Sequence, residues 1–140
     1  MKLYYCISTV VQFVRGDECS LSWKLDKNRP ICPQIEEQIC VKIANGELKS
    51  GEKLMSVRDV AVEASVNPNT AQKAFEGLEA KGLLTSVRGS GWYVSEQTEK
   101  AAEIVKEIIL SRTREYVNSM KDLGLTVNQI TDLIEKGEII

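Results

Sequence analysis

A chain of 140 residues, 43% hydrophobic and with a formal net charge of −2, has room for one domain and an appendage around a real core. That near-neutral balance excludes a protein held to its partner by bulk positive charge, so any basic footprint must come from placement on one face. The chain has no histidine, the commonest general base, and shows no Gly-rich phosphate loop, paired-carboxylate motif or nucleophile motif, so neither an enzyme nor a cofactor is expected.

Residues 1–22 read as a detachable leader. Its apolar run from Leu3 to Val14 follows Lys2, but Ser8, Thr9 and Gln12 interrupt it and no small-x-small cleavage pattern follows. The run is too short to span a membrane, and its Tyr, Ile, Val and Phe content suits a strand. An added strand, a partner-binding strand and a poorly ordered tail all remain open, and a cytoplasmic protein with no membrane partner is expected. The four cysteines, Cys6, Cys19, Cys32 and Cys40, lack the paired spacing of a zinc site. On one helix Cys32 and Cys40 would stand about 12 Å apart along the axis, too far to bridge. Free, buried or half-buried thiols are expected, with a thiol sensor as the alternative.

Trp23-Lys24-Leu25-Asp26 alternates apolar and polar residues before a turn-like Lys27-Asn28-Arg29-Pro30. A helix is expected over Ile31–Asn45, with Ile31, Ile35, Ile39 and Ile43 in one stripe and Cys32, Cys40 and Ala44 beside it. Pro33 falls in its first turn, Gly46 stops it, and Leu48-Lys49-Ser50-Gly51 makes a turn. Ser56 with Asp59 forms an S-x-x-D box opening a helix to Ala64, whose inner face is Val57, Val60 and Ala61. Asn67 is a natural N-cap and Pro68 a natural first residue of a helix ending at Lys81-Gly82. Ala71, Ala74, Phe75 and Leu78 face inward there, leaving Asn69, Thr70, Gln72 and Lys73 outside. Strands are expected over Leu83–Val87 and Trp92–Val94, joined at a tip Arg88-Gly89-Ser90-Gly91 where glycine permits positive φ.

A long helix is expected from Gln97 to Leu123. Ala102, Val105, Ile109, Thr113, Tyr116, Met120 and Leu123 recur at heptad-like spacing, a seam with one polar member. Gly124 ends it, and a Thr126–Gln129 capping box opens a last helix through Lys136 with Val127, Ile130, Leu133 and Ile134 on its apolar face. The seam can cover the first domain as ordinary core or pair with a second copy.

This order reads as an α+β, mainly α chain: a winged helix-turn-helix over 23–95, then a short two-helix dimerisation region over 96–140. The second helix of such a unit fits a major groove and the wing fits beside it. Asn and Gln can pair with adenine, Thr can meet a thymine methyl or a phosphate, and Lys can reach guanine or phosphate. Arg58 suits a phosphate clamp, Lys53 is a weaker one, and Arg88 suits the backbone or a narrow minor groove. Each has a plainer alternative: a solvated helix face, an ion pair of Arg58 with Asp59 or Glu63, an ordinary hairpin turn. From Lys53 to Val94 five cations oppose four carboxylates, a balance of +1.

Trp23-Lys24-Leu25-Asp26 and Arg29-Pro30-Ile31-Cys32-Pro33-Gln34-Ile35 resemble the opening of the GntR family of bacterial transcription regulators, especially its short YtrA-like branch. Gly46-Glu47-Leu48, Gly51-Glu52-Lys53-Leu54 and Ser56-Val57-Arg58-Asp59-Val60-Ala61 continue the resemblance. So do Val66-Asn67-Pro68-Asn69-Thr70-Ala71-Gln72-Lys73-Ala74-Phe75, Leu78-Glu79-Ala80-Lys81-Gly82-Leu83 and the wing. The resemblance implies a homodimeric winged-helix regulator on an operator palindrome in double-stranded DNA, usually a repressor. Family contacts carry over to Arg58, Asn69, Thr70, Gln72, Lys73, Arg88 and Gly89, with Ser56 as a phosphate ligand. Ser90 stands where a basic residue is common, Met55 replaces the usual proline, and residues 1–22 have no counterpart. About 45 residues follow Val94, too few for the effector pockets or fused aminotransferase of other branches, so the effector stays unknown. Members of the short branch often sit beside ABC-transporter genes, which makes a transporter operon the expected target. A winged-helix module that binds protein is the rival reading.

Overall fold

The computed structural model of the chain describes residues 23–136; the expected leader, with Cys6 and Cys19, lies outside them. The elements run α1 (Ile31–Ala44), α2 (Val57–Ala64), α3 (Pro68–Ala80), β1 (Leu84–Val87), β2 (Gly91–Val94), α4 (Glu99–Asp122) and α5 (Val127–Lys136). This is the mainly helical, winged fold expected, with its strand ends moved by one residue. The chain divides into two compact units, one ending at Ala102 and one beginning at Glu103.

In the first unit, α3 is the central helix, packed against α1, α2 and β1. Ile35, Ile39, Cys40 and Ile43 recur on one side of α1 and are buried, as are Val60 and Ala61 of α2. Ala71, Ala74, Phe75 and Leu78 of α3 are fully buried, with Leu83, Leu84 and Val94 of the hairpin beneath them. The spacing of three and four puts each set on one stripe, and removing that stripe from water is what holds these short helices. Where α1 crosses α3, a Cβ on Gly77 would lie 2.5 Å from Oε1 of Glu36. A side chain there would push away the Glu36 carboxylate, which pairs with Lys81 at the end of α3.

Two parts of this unit differ from expectation. Residues 24–26 belong to no strand, and their backbone pairs instead with two side chains on α1. Gln38 accepts from the Lys24 N–H at 3.2 Å and donates to its carbonyl at 2.8 Å. Gln34, itself buried, accepts from the Asp26 N–H at 2.7 Å and donates to its carbonyl at 2.9 Å. One turn apart on α1, the two amides each copy one residue of a neighbouring strand. The second difference lies past the expected turn, where the chain runs along the outer edge of β2. Gly51 N–H donates to Val94 O at 2.8 Å, Val94 N–H to Glu52 O at 2.9 Å and Leu54 N–H to Trp92 O at 2.8 Å. Lys53 thereby stands opposite Tyr93.

In the second unit, the Thr126–Gln129 box closes in both directions. Thr126 N–H donates to Gln129 Oε1 at 2.9 Å and Gln129 N–H to Thr126 Oγ1 at 3.4 Å. Of the 24 residues of α4 only Ala101, in the first unit, is buried. Val105 and Met120 of the seam are half-buried, whereas Ala102 and Thr113 are exposed. Ile109 is 44% exposed, Tyr116 43% and Leu123 78%, and on α5 Val127 and Ile134 are 51% and 63% exposed. Thr113 returns its hydroxyl to the Ile109 carbonyl at 2.7 Å, so the one polar seam member is satisfied within its own helix.

Candidate nucleic-acid interface

The helix-turn-helix is set by its caps. Ser56 Oγ accepts from the Asp59 N–H at 3.1 Å, and Asn67 Oδ1 accepts from the Asn69 N–H at 2.8 Å. Between the helices Ser65 takes left-handed φ 54 and ψ 46, turning the chain so that α3 leaves at an angle to α2. The first box differs from the reciprocal one expected. Asp59 does not bond the Ser56 N–H; its Oδ2 accepts the Ser56 hydroxyl at 2.7 Å. Ser56 is therefore a cap whose proton is already committed, and a phosphate would have to displace Asp59 from it.

On α3, Asn69 and Lys73 are exposed while Thr70 and Gln72 are half-buried. Gln72 Nε2 donates to Glu76 Oε1 at 2.9 Å. A carboxylate only accepts, so this bond leaves the Gln72 carbonyl and one N–H free, the pair an adenine edge needs. Glu76 places a negative charge on the reading face, a feature the composition of the outer face had left out. Arg58, Lys73 and Arg88 are exposed and, among the described residues, make no ion pair within 4 Å, so Arg58 pairs with neither Asp59 nor Glu63. Lys81, the other cation on these elements, is turned to Glu36.

The wing tip closes with Ser90 N–H donating to Val87 O at 3.0 Å, and Gly89 takes φ 78 there, a conformation that costs a side chain about 1–2 kcal/mol. Ser90 and Tyr93 share a hydrogen bond between their hydroxyls. Lys53 reaches this hairpin from the flanking segment: its Cε lies 3.3 Å from where a Cβ of Gly91 would stand. The hairpin thus carries Arg88 at its tip and Lys53 lower down, a second cation where Ser90 supplies none. Lys53 ranked as a lesser candidate because the segment that delivers it has no pattern of its own.

The two described cysteines are free thiols. Cys32 donates to Glu36 Oε1 at 3.6 Å, and burial first, then the Glu36 charge, push its pKa up. Burial pushes Cys40 up to about 11. Both stay protonated near neutrality, which is the opposite of what a reactive sensor thiol needs. Among the described residues no group of three or more His, Cys, Asp or Glu could hold a metal ion, and no helix is long and apolar enough to cross a membrane.

The model of the gntR family of bacterial regulatory proteins matches residues 33–94. The HTH-type transcriptional regulator YhcF of Bacillus subtilis is 37% identical over 116 residues, covering 80% of this chain and 93% of that protein. The HTH-type transcriptional repressor YtrA of the same organism is 41% identical over 70 residues, which span 50% of this chain and 54% of YtrA. Among solved structures, a GntR family transcriptional regulator from Listeria monocytogenes superposes with a TM-score of 0.71 at 32% identity, over 80% of this chain and 98% of that one.

Proposed function

From its place in the gntR family of bacterial regulatory proteins, to which this chain belongs as a DNA-binding transcriptional regulator, we propose that it acts as a homodimeric repressor on an operator palindrome. The observation that carries the DNA face is the set of exposed cations left unpaired among the described residues on α2, α3 and the wing: Arg58, Lys73 and Arg88. In this reading Asn69, Thr70 and Gln72 meet base edges in the major groove, with Lys73 beside them on a phosphate. Arg58, Lys53 and Ser56 fix register on phosphates, and Arg88 with the Gly89 backbone enters beside them. Base contacts specify and phosphate contacts position, so the two sets do different work.

Dimerisation is supported by the apolar side chains along α4 and α5 that lie exposed in the single chain, Ile109, Tyr116, Leu123, Val127 and Ile134 among them. Ala102, Val105, Ile109, Tyr116, Met120 and Leu123 would form its seam with a second copy, so that residues 23–95 bind DNA and residues 96–140 pair. Two α3 helices about one DNA turn apart, roughly 34–36 Å, then read a palindrome. Repression follows from occupying a promoter, and the named repressor YtrA supports it. A transporter operon, in a cytoplasmic setting, is the target that the YtrA-like resemblance favours.

Selecting bound fragments from the source genome with the purified chain tests this. The expected result is an inverted repeat upstream of the regulated genes, bound by two chains. Recovery of fragments with no shared motif would refute sequence-specific repression.

A further inference from the structure

Two of the contacts that fasten the wing to the reading helix lie one helical turn apart on α3 and directly across from each other on the hairpin. Phe75 meets the Trp92 ring edge-to-face, with ring centres 5.6 Å apart at 81°. One turn on, Glu79 Oε1 accepts both the Ser86 backbone N–H at 3.2 Å and the Ser86 hydroxyl at 2.8 Å. Ser86 and Trp92 are cross-strand partners in the hairpin. The apolar fastening fixes how close the hairpin lies. A ring contact tolerates rotation, however, and the second point removes that freedom. The Ser86 bond is charge-assisted and reaches strand backbone, so it sets the angle at which β1 leaves α3.

We propose that Glu79 is a positioning residue for DNA binding: its carboxylate, held on Ser86, sets the wing so that Arg88 arrives at the DNA while α3 occupies the groove. This rests on the reading that the wing touches DNA. Glu79 itself contacts no base or phosphate, and acts only through the orientation of β1.

The test compares Glu79→Gln with Glu79→Ala in the full chain. Both remove the negative charge, but only glutamine keeps an oxygen that can accept the two Ser86 bonds. Each is combined with Arg88→Ala and titrated on the selected operator, with melting temperatures recorded alongside. In the wild type and in Glu79→Gln, Arg88→Ala weakens dimer binding about thirtyfold, about fivefold at each of the two half-sites, the low end for one groove contact. In Glu79→Ala the same change costs less than about twofold, because the wing is already misplaced, while base preferences read by α3 are kept. Ser86→Ala, which leaves the charge in place, gives an intermediate loss. An equal Arg88 penalty in the glutamine and alanine backgrounds overturns the positioning role alone. No Arg88 penalty in the wild type overturns the wing contact itself, and this proposal with it.

Discussion

The salt dependence of operator binding follows from counting free cations. Each protomer offers Arg58, Lys73, Arg88 and Lys53, all exposed and, among the described residues, none in an ion pair. A dimer that seats all of them neutralises eight phosphates, so log K should fall against log salt with a slope of about −7. Between about 50 and 200 mM salt that is a loss of about 10⁴ in affinity. Lys73→Ala removes two contacts per dimer and should flatten the slope by about 1.8, lowering affinity by a similar factor on operator and random DNA if Lys73 holds phosphate. Because Lys73 is exposed, the folded state should change by less than about 0.5 kcal/mol, so lost binding would not be lost folding. Fluorescence anisotropy with labelled operator across a salt series measures both slopes. A wild-type slope shallower than about −3, or one that Lys73→Ala leaves unchanged, would refute the count.

Ser65→Gly should raise stability by about 0.5–1 kcal/mol in urea titration, since serine pays for its left-handed conformation and glycine does not; a loss would show that the turn is unstrained. Cys40 makes a pH-dependent prediction. Its pKa is raised on folding from 9.0 to about 11, so the thiol contributes stability that is complete below pH 9 and fades as pH climbs through 11. Cys40→Ala should flatten the unfolding free energy across that window, and an unaltered slope would count against burial as the cause. Ile109→Glu should convert the dimer to a monomer in sedimentation while the melting of the first unit is kept, and binding to a palindrome should drop to that of a half-site; an unchanged dimer would place the seam elsewhere.

The helices were legible because each carries its own punctuation. Asn67-Pro68 opens α3 with a cap and a pre-set φ, and Ala71, Ala74, Phe75 and Leu78 repeat on one face, so its ends and its outer side followed directly. Residues 51–54 were not, because only Leu54 of that stretch is buried and no alternation builds over four residues. Their pairing exists only because β2 presents an open edge. The same holds for Gln34 and Gln38: nothing in a glutamine at i and i+4 announces a mock strand until a stretch of backbone is laid beside it. Glu79 was invisible for a different reason. On the helix pattern it is one more exposed acid, and its partner Ser86 lies beyond the turn, so the bond belongs to neither element alone.

Asp59 and Glu76 give a physical sense to the near-neutral charge. Both lie within the proposed reading unit, and both are hydrogen-bonded to a group that would meet DNA: Asp59 to Ser56 and Glu76 to Gln72. Non-specific binding comes almost wholly from counterion release, so every carboxylate near the phosphates weakens it on all sequences alike. Operator binding loses the same amount but recovers it where Gln72 and its neighbours find their bases, at about 1–3 kcal/mol for each good pair. What matters in a genome is the ratio of the two, multiplied by the number of competing sites. A reading face with few cations and two acids therefore gives up absolute affinity to lower the background. On this reasoning Glu76→Gln should tighten binding to random DNA and to operator by about the same factor, and a gain confined to operator would show that Glu76 acts through Gln72 rather than through the phosphates.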